Sequence, residues 1–150
     1  MATPGPALSI TDASIQAFLA DQLKTNPTLP KAGSNSLYFI FLPSGVRVTQ
    51  SGTQSCQSFC GYHDVTASQI FYGVIPYPDC AGCRGGAPVF DALTTTASHE
   101  LCEAITDPVP GQGWYDDANG EIGDICAWKT KKLGQYTVQR EWSNAKGACV

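Results

Sequence analysis

Apolar residues recur along this chain with two different periods. Over residues 11–24 they fall at Ile15, Phe18, Leu19 and Leu23, the i, i+3, i+4, i+8 spacing of an amphipathic helix. Thr11 or Ser9 can cap its start, and the pairs Asn26-Pro27 and Leu29-Pro30 end it. Residues 37–42 form an unbroken apolar run that reads as a strand, and Pro43-Ser44-Gly45 then marks a turn. A second strand over 46–50 would complete a hairpin at a sheet edge. Residues 51–68 are polar and carry Cys and Gly, as a loop does. A third strand is expected over 69–76 and a second loop over 76–88. Residues 108–120 are rich in turn formers, 121–128 read equally as helical or extended, and 135–142 alternate as a last strand.

Between the second loop and the turn-rich segment the period becomes helical again. A helix is expected over about 89–106, ended by Asp107-Pro108, with Leu93, Ala97, Leu101, Ala104 and Ile105 as its buried stripe. His99-Glu100-Leu101-Cys102-Glu103 lies on it. Four residues make about one turn, so His99 and Glu103 share a face, and Glu100 stands about 100° around the axis. An imidazole and a carboxylate so placed can hold one metal ion, and a carboxylate beside them can take a proton from water. This is the H-E-x-x-H metalloprotease layout with glutamate in place of the second histidine. A third ligand must come from downstream, and Glu121 or Asp124 can supply it equally well, while Asp107 is a weaker candidate. The carboxylate not used as ligand could hold the free nitrogen of His99. The bland reading is a solvated polar face. Against it, Thr95, Thr96 and Ser98 are small and uncharged, which suits a cleft. One His with two or three carboxylates is oxygen-rich. Zn²⁺ fits the motif best, but Ca²⁺ or Mn²⁺ would also suit such a set.

Composition narrows the class. The 150 residues suggest one domain, with 1–9 as a flexible N-terminus. Hydrophobic residues make up 43% and charged residues 15%, enough for a core and unlike a disordered chain. The net charge of −4 and the absence of a Lys/Arg cluster beyond Lys129, Lys131 and Lys132 argue against a nucleic-acid partner. No apolar run approaches the roughly 18 residues of a membrane span. The first residues lack a basic-then-apolar signal pattern. Seven cysteines nevertheless favour a secreted, disulfide-stapled domain.

Cys56-x₃-Cys60 and Cys80-x₂-Cys83 read as a Cys₄ zinc site in an intracellular protein and as two disulfides, local or crossed, in a secreted one; the second reading is favoured. Cys126 with Cys149 would staple the C-terminus. Each staple could add about 2–4 kcal/mol. Cys102, on the motif helix, is the expected odd thiol. Asp116-Asp117-Ala-Asn119-Gly120-Glu121 has the look of a calcium loop. Aligning Gly120 with the loop glycine puts Tyr115 and Cys126 at the first and last ligand positions, so an EF-hand fails and a polar turn is expected. His63, expected on a loop, is a possible extra ligand or acid. Trp114, Tyr115, Trp128 and Trp142 read as packing residues, although an exposed aromatic pair near an acidic cleft could hold a sugar or a peptide.

The strings ASHELCEAITDP and GWYDDANGEIGDIC resemble the phosphate-induced protein 1 family, which includes the plant EXORDIUM proteins and relatives in bacteria and fungi. SNSLYFIFLPSGVRV, SCQSFCGYHD, YGVIPYPDCAGC and REWSNAKGACV resemble other segments of that family, so the likeness runs from about residue 10 to 150. It implies a secreted or wall-associated protein and carries over His99, Glu100, Glu103, Asp107, Glu121 and Asp124. It supplies no reaction. Cys102 departs from the small residue expected there. The fold suggested is α/β of the α+β kind, zincin-like, with a small, mostly antiparallel sheet packed on the motif helix and disulfide-stapled loops.

Three functions follow as expectations. One is a metal-dependent hydrolase, most simply a peptidase, with Glu100 as general base. Another is a non-catalytic extracellular protein, lectin-like or signalling, that binds carbohydrate or protein. The last is a structural domain whose polar cluster ties the 108–126 loop to the helix.

Overall fold

The computed structural model describes residues 8–150. It is an α+β arrangement of short strands, three helices and three disulfides. The segment 1–9 was expected to be flexible; residues 1–7 lie outside the described residues, and Ser9 already belongs to β1 (Ser9–Thr11).

Helix α1 (Asp12–Thr25) starts where a capping box fixes it. The Thr11 hydroxyl accepts from the Ser14 amide at 3.3 Å, and the Ser14 hydroxyl accepts from the Thr11 amide at 3.1 Å. Ile15 and Leu19 are buried, whereas Phe18 of the expected stripe is exposed. They pack on Leu42, Val46, Val48, Tyr62, Tyr72 and Val74, the apolar core. Asp12 ties the helix to this core by accepting from the hydroxyls of Tyr62 (2.7 Å) and Tyr72 (2.8 Å). Burial and that carboxylate hold both phenols well above their ordinary pKa.

The expected hairpin over 37–50 does not form. β2 (Leu37–Phe41) and β3 (Arg47–Gln50) enter different sheets. β3 pairs in parallel with β1 and antiparallel with β4 (Thr53–Gln54). β2 pairs in parallel with β6 (Phe71–Ile75), which pairs antiparallel with β5 (Tyr62–Val65). The physical reason is burial. Tyr72, Val74 and Ile75 of β6 are fully enclosed, so β6 needs a partner on each side, and a two-stranded ribbon of β2 and β3 would leave it bare. Four of the six pairings are antiparallel, but the longest is parallel. β5 and β4 both lie within residues 51–68, which were expected to be loop, so His63 stands on a strand.

Helix α2 (Ala81–Arg84) is a single turn inside the second loop. Helix α3 (Val89–Thr106) matches the expected motif helix in extent, but it is rotated. Ala92, Glu100, Glu103 and Ala104 are buried, whereas Leu101 and Ile105 of the expected stripe are 42% and 68% exposed. The helix turns its carboxylates inward because a partner waits there, His63 on β5. Residues 135–142 were expected to be one strand. They instead form the second half of a hairpin, β7 (Thr130–Leu133) and β8 (Tyr136–Gln139), followed by β9 (Trp142–Ser143), which pairs with β10 (Ala148–Cys149). β8 docks on α3 through the Thr94 hydroxyl donating to the Thr137 carbonyl (2.6 Å) and the Gln139 amide donating to the Ser98 hydroxyl (2.9 Å). Asp124–Cys126 form a 3₁₀ turn. Asp116–Gly120 is a polar turn, as expected, with Asp116 Oδ1 accepting from the Ala118 amide and the Asn119 side chain. No helix among the described residues is long and apolar enough to cross a membrane.

The disulfides are crossed: Cys56–Cys80 and Cys60–Cys83 clamp the segment before β5 to the α2 loop, and Cys126–Cys149 ties the 3₁₀ turn to the C-terminus. Cys102 is free, as expected. The chain denatured without reductant should therefore show one titratable thiol. A C60A/C83A variant should lose about 2–4 kcal/mol in denaturant unfolding, since the bridge closes 23 residues. Two additional thiols in the wild-type chain, or an unchanged midpoint in the variant, would contradict this.

Candidate metal centre

Helix α3 carries three of the side chains, and two pinned segments bring the others to it. His99 Nε2 lies 3.1 Å from Glu103 Oε2, as one-turn spacing requires. Asp124, at the start of the 3₁₀ turn, sets Oδ1 3.9 Å from the same nitrogen. Donor atoms of His99, Glu103 and Asp124 all lie within 4.8 Å of one another. Ligands 2.0–2.1 Å from a tetrahedral zinc sit roughly 3.4 Å apart, so these two distances bracket that spacing.

A second group shares Glu103. His63 Nδ1 lies 3.5 Å from Glu100 Oε2 and 3.9 Å from Glu103 Oε2, and these three residues also meet the geometric requirement for holding an ion. His63 Nε2 is 2.9 Å from the Asp107 carbonyl and 3.5 Å from Glu121 Oε1. The carbonyl can only accept, so Nε2 carries a proton and Nδ1 faces the two glutamates. All members of this group are buried. The His99 group differs: Asp124's side chain is 50% exposed, so that group opens to solvent.

The sequence left Glu121 and Asp124 as equal candidates, and the geometry separates them. Asp124 joins His99 and Glu103. Glu121 faces His63, while its amide donates to Asp124 Oδ2 at 3.2 Å and helps orient that carboxylate. Asp107 is otherwise engaged. It caps α3, and its fully buried carboxylate accepts from the amides of Gly111 (2.6 Å), Gln112 (3.0 Å) and Gly113. It anchors the turn-rich loop, and its carbonyl positions His63.

Three participants gave no sequence signal. Gln139 Nε2 sits 2.7 Å from His99 Nδ1 and donates to the Gly123 carbonyl at 2.9 Å; it looked like one more alternating residue of a strand. Gly123 leaves room, since a Cβ there would stand 2.6 Å from His99 Nδ1 and 2.8 Å from Glu103 Oε1. Glu141, beside β8, has both carboxylate oxygens buried with no hydrogen-bond partner.

The electrostatics follow from packing several carboxylates around two imidazoles. Burial lowers the pKa of His99, but the Glu103 hydrogen bond, with Glu100 and Asp124 nearby, overrides it and pushes the group up to about 9. His63 also reaches about 9: burial opposes it, while the Glu100 hydrogen bond, the Asp107 carbonyl and Glu121 raise it. Burial raises Glu100, and His63 and His99 offset part of that. Burial and the Glu103 charge raise Glu121 and Glu141 to about 7 each.

These features fit a divalent cation. Glu103 is 3% exposed, and its Oε1 is buried without a partner; Glu121 Oε1 is likewise orphaned. With its pKa near 9 the His99 ring carries a proton on Nε2, between the ring and Glu103, while Nδ1 meets the Gln139 amide. That proton occupies the position a cation would take. A cation bound at Nε2 would displace that proton and leave Gln139 to orient the ring through Nδ1.

The chain matches no protein-family model, no curated protein sequence and no solved structure. The reading of the centre therefore rests on its own geometry.

A pH dependence follows with a definite sign. Both glutamates raised to about 7 and both histidines raised to about 9 bind protons more tightly folded than unfolded. Stability from the glutamates is present below about pH 4.5 and lost toward 7. Stability from the histidines is present below about 6.5 and lost toward 9. The metal-free protein should thus melt lower at pH 9 than at pH 5, by roughly 5 °C or more. Zinc affinity should rise over the same range, because binding displaces protons. Calorimetry at pH 5, 7 and 9, with and without zinc, checks both. A flat or rising melting temperature without metal would contradict the reading.

Proposed function

We propose that the protein is an extracellular, zincin-like metallohydrolase acting on peptide bonds. One divalent ion, most simply Zn²⁺, is held by His99, Glu103 and Asp124, and Glu100 is the general base. The observation that carries this is the contrast between two groups sharing Glu103. The His99 group reaches solvent through Asp124, as a catalytic metal with an open position must. The more deeply buried group holds Glu100 beside His63, at the edge of the same open cavity that His99 and Asp124 line.

A bound ion supplies Lewis acidity, polarising a carbonyl and making water acidic. The chain's residues do the rest. Glu100 Oε2 takes the proton from the attacking water as oxygen bonds to the carbonyl carbon. It then gives that proton to the departing amine as the C–N bond breaks, so acid and amine products leave with no co-reactant. Burial raises the Glu100 carboxyl, which suits it to both steps. His63 Nδ1 holds Glu100 in place from 3.5 Å, fixed in turn by the Asp107 carbonyl.

The crossed disulfides support an oxidising compartment. The EXORDIUM-like resemblance, which spans the segments carrying His63, His99, Glu103 and Asp124, supports the same compartment and a peptide or carbohydrate of a wall or matrix as ligand. The other reading, a non-catalytic binding protein of that family, uses the same centre to order a ligand surface.

The variant E100Q separates them. Zinc-loaded E100Q should keep one equivalent of zinc and lose at least 10²-fold in kcat on a fluorogenic peptide mixture. Full activity in E100Q would overturn the base assignment. Absence of hydrolysis by the zinc-loaded wild type would favour the binding protein.

A further inference from the structure

Beside the centre runs a cleft of about 300 Å³. His99, Glu100 and Asp124 form one end; Phe59, Gly61, Thr95, Thr96, Ala127 and Trp128 form its walls. We propose that this cleft is the subsite for one large apolar side chain of a polypeptide substrate, held against the Trp128 indole. The proposal rests on the hydrolase reading for its substrate class, but its binding test does not require turnover.

Trp128 is 65% exposed, the most exposed aromatic residue among those described. Its backbone φ is +67°, a left-handed conformation that a bulky residue rarely adopts. Its position is nonetheless fixed. The Ala127 amide donates to the Asp124 carbonyl (3.1 Å), the Lys129 amide donates to the Cys126 carbonyl (3.0 Å), and Cys126 is bridged to Cys149. The turn that presents Asp124 to the centre therefore also holds an indole out beside it, in a conformation the chain would otherwise avoid. Strain of this kind gathers at ligand sites.

The chemistry of the walls selects the occupant. Thr95's hydroxyl is engaged with the Asp91 carbonyl at 2.7 Å. Gln139's amide is engaged with His99 and Gly123. Cys60 is in a disulfide. A Cβ on Gly61 would meet the Thr96 methyl at 2.6 Å, so that methyl packs directly against the glycine. The Ser58 and Thr96 hydroxyls remain free, but most of the lining surface is apolar, with Phe59, Ala127 and Trp128 contributing to it. The volume is at the lower end of ligand pockets, about 300–1,000 Å³, and suits one side chain. A residue seated here places its adjoining peptide bond at Glu100 and the His99 group.

The test compares N-acetyl-Gly-Phe-Gly-amide with its Gly-Ala-Gly analogue on zinc-loaded E100Q, reading affinity in both proteins by calorimetric titration and, in E100Q, contact by the Trp128 indole NMR signal. The second protein is E100Q/W128G, since glycine accepts φ +67° without strain and the fold should survive, as a thermal melt verifies. The Phe peptide should bind at least tenfold more tightly than the Ala peptide, and the preference should shrink below threefold in W128G with zinc content unchanged. Equal affinities, no binding of the Phe peptide at millimolar concentration, or a preference that survives W128G would overturn the subsite. Trp128-dependent binding of cello- or chito-oligosaccharides tighter than the Phe peptide would overturn it too. Wild type that shows the preference yet hydrolyses nothing would leave the subsite standing and remove the hydrolase reading instead.

Discussion

Glu103 is a carboxylate almost sealed from water, and the rest of the centre is arranged around that fact. A buried charge with no partner costs several kcal/mol. His99 answers it from one turn back on the same helix, His63 approaches from β5, and one oxygen is left with no partner at all. The inverted face of α3 follows from the same constraint. The helix exposes Leu101 and Ile105 so that Glu100 and Glu103 can reach the imidazoles. The energy lost in exposed apolar surface is recovered only if the interior charges are matched, by protons in the metal-free protein or by a cation.

The covalent staples make this arrangement hold its shape. His63 lies three residues after Cys60, and Asp124 two before Cys126, and both cysteines are bridged. The core of α1, β3 and β6 lies to one side and supplies the hydrophobic stabilisation. The centre itself has little apolar packing, so it leans on disulfides where a larger enzyme would lean on core. Asp107 performs a comparable service without a covalent bond, gathering three loop amides while its carbonyl orients the His63 ring.

Much of this was legible in the sequence, and the failures have physical reasons. The extent of α3, the His99/Glu103 pair, the odd thiol at Cys102 and the Cys126–Cys149 staple all depend on local spacing or parity. The rotation of α3 was not legible. Hydrophobic periodicity assigns a helix's inner face to its leucines, and here long-range partners overrule it. His63 looked like a loop histidine because a four-residue edge strand between disulfides has no room to show an alternating pattern. The hairpin over 37–50 was misread because the Pro43-Ser44-Gly45 turn is real, while the pairing is decided by β6, more than twenty residues on. Gln139 and Gly123 act through one amide and one missing Cβ, and neither leaves a mark on a single sequence.

The central claim is that a cation takes the place of the proton between His99 and Glu103. The most direct measurement is calorimetric titration of the metal-free protein with zinc at pH 7.5, with proton release read from buffers of different ionisation enthalpy. One equivalent should bind with release of at least one proton, and H99A should abolish both. No binding, or binding unchanged in H99A, would contradict the claim and leave the cluster a hydrogen-bonded network.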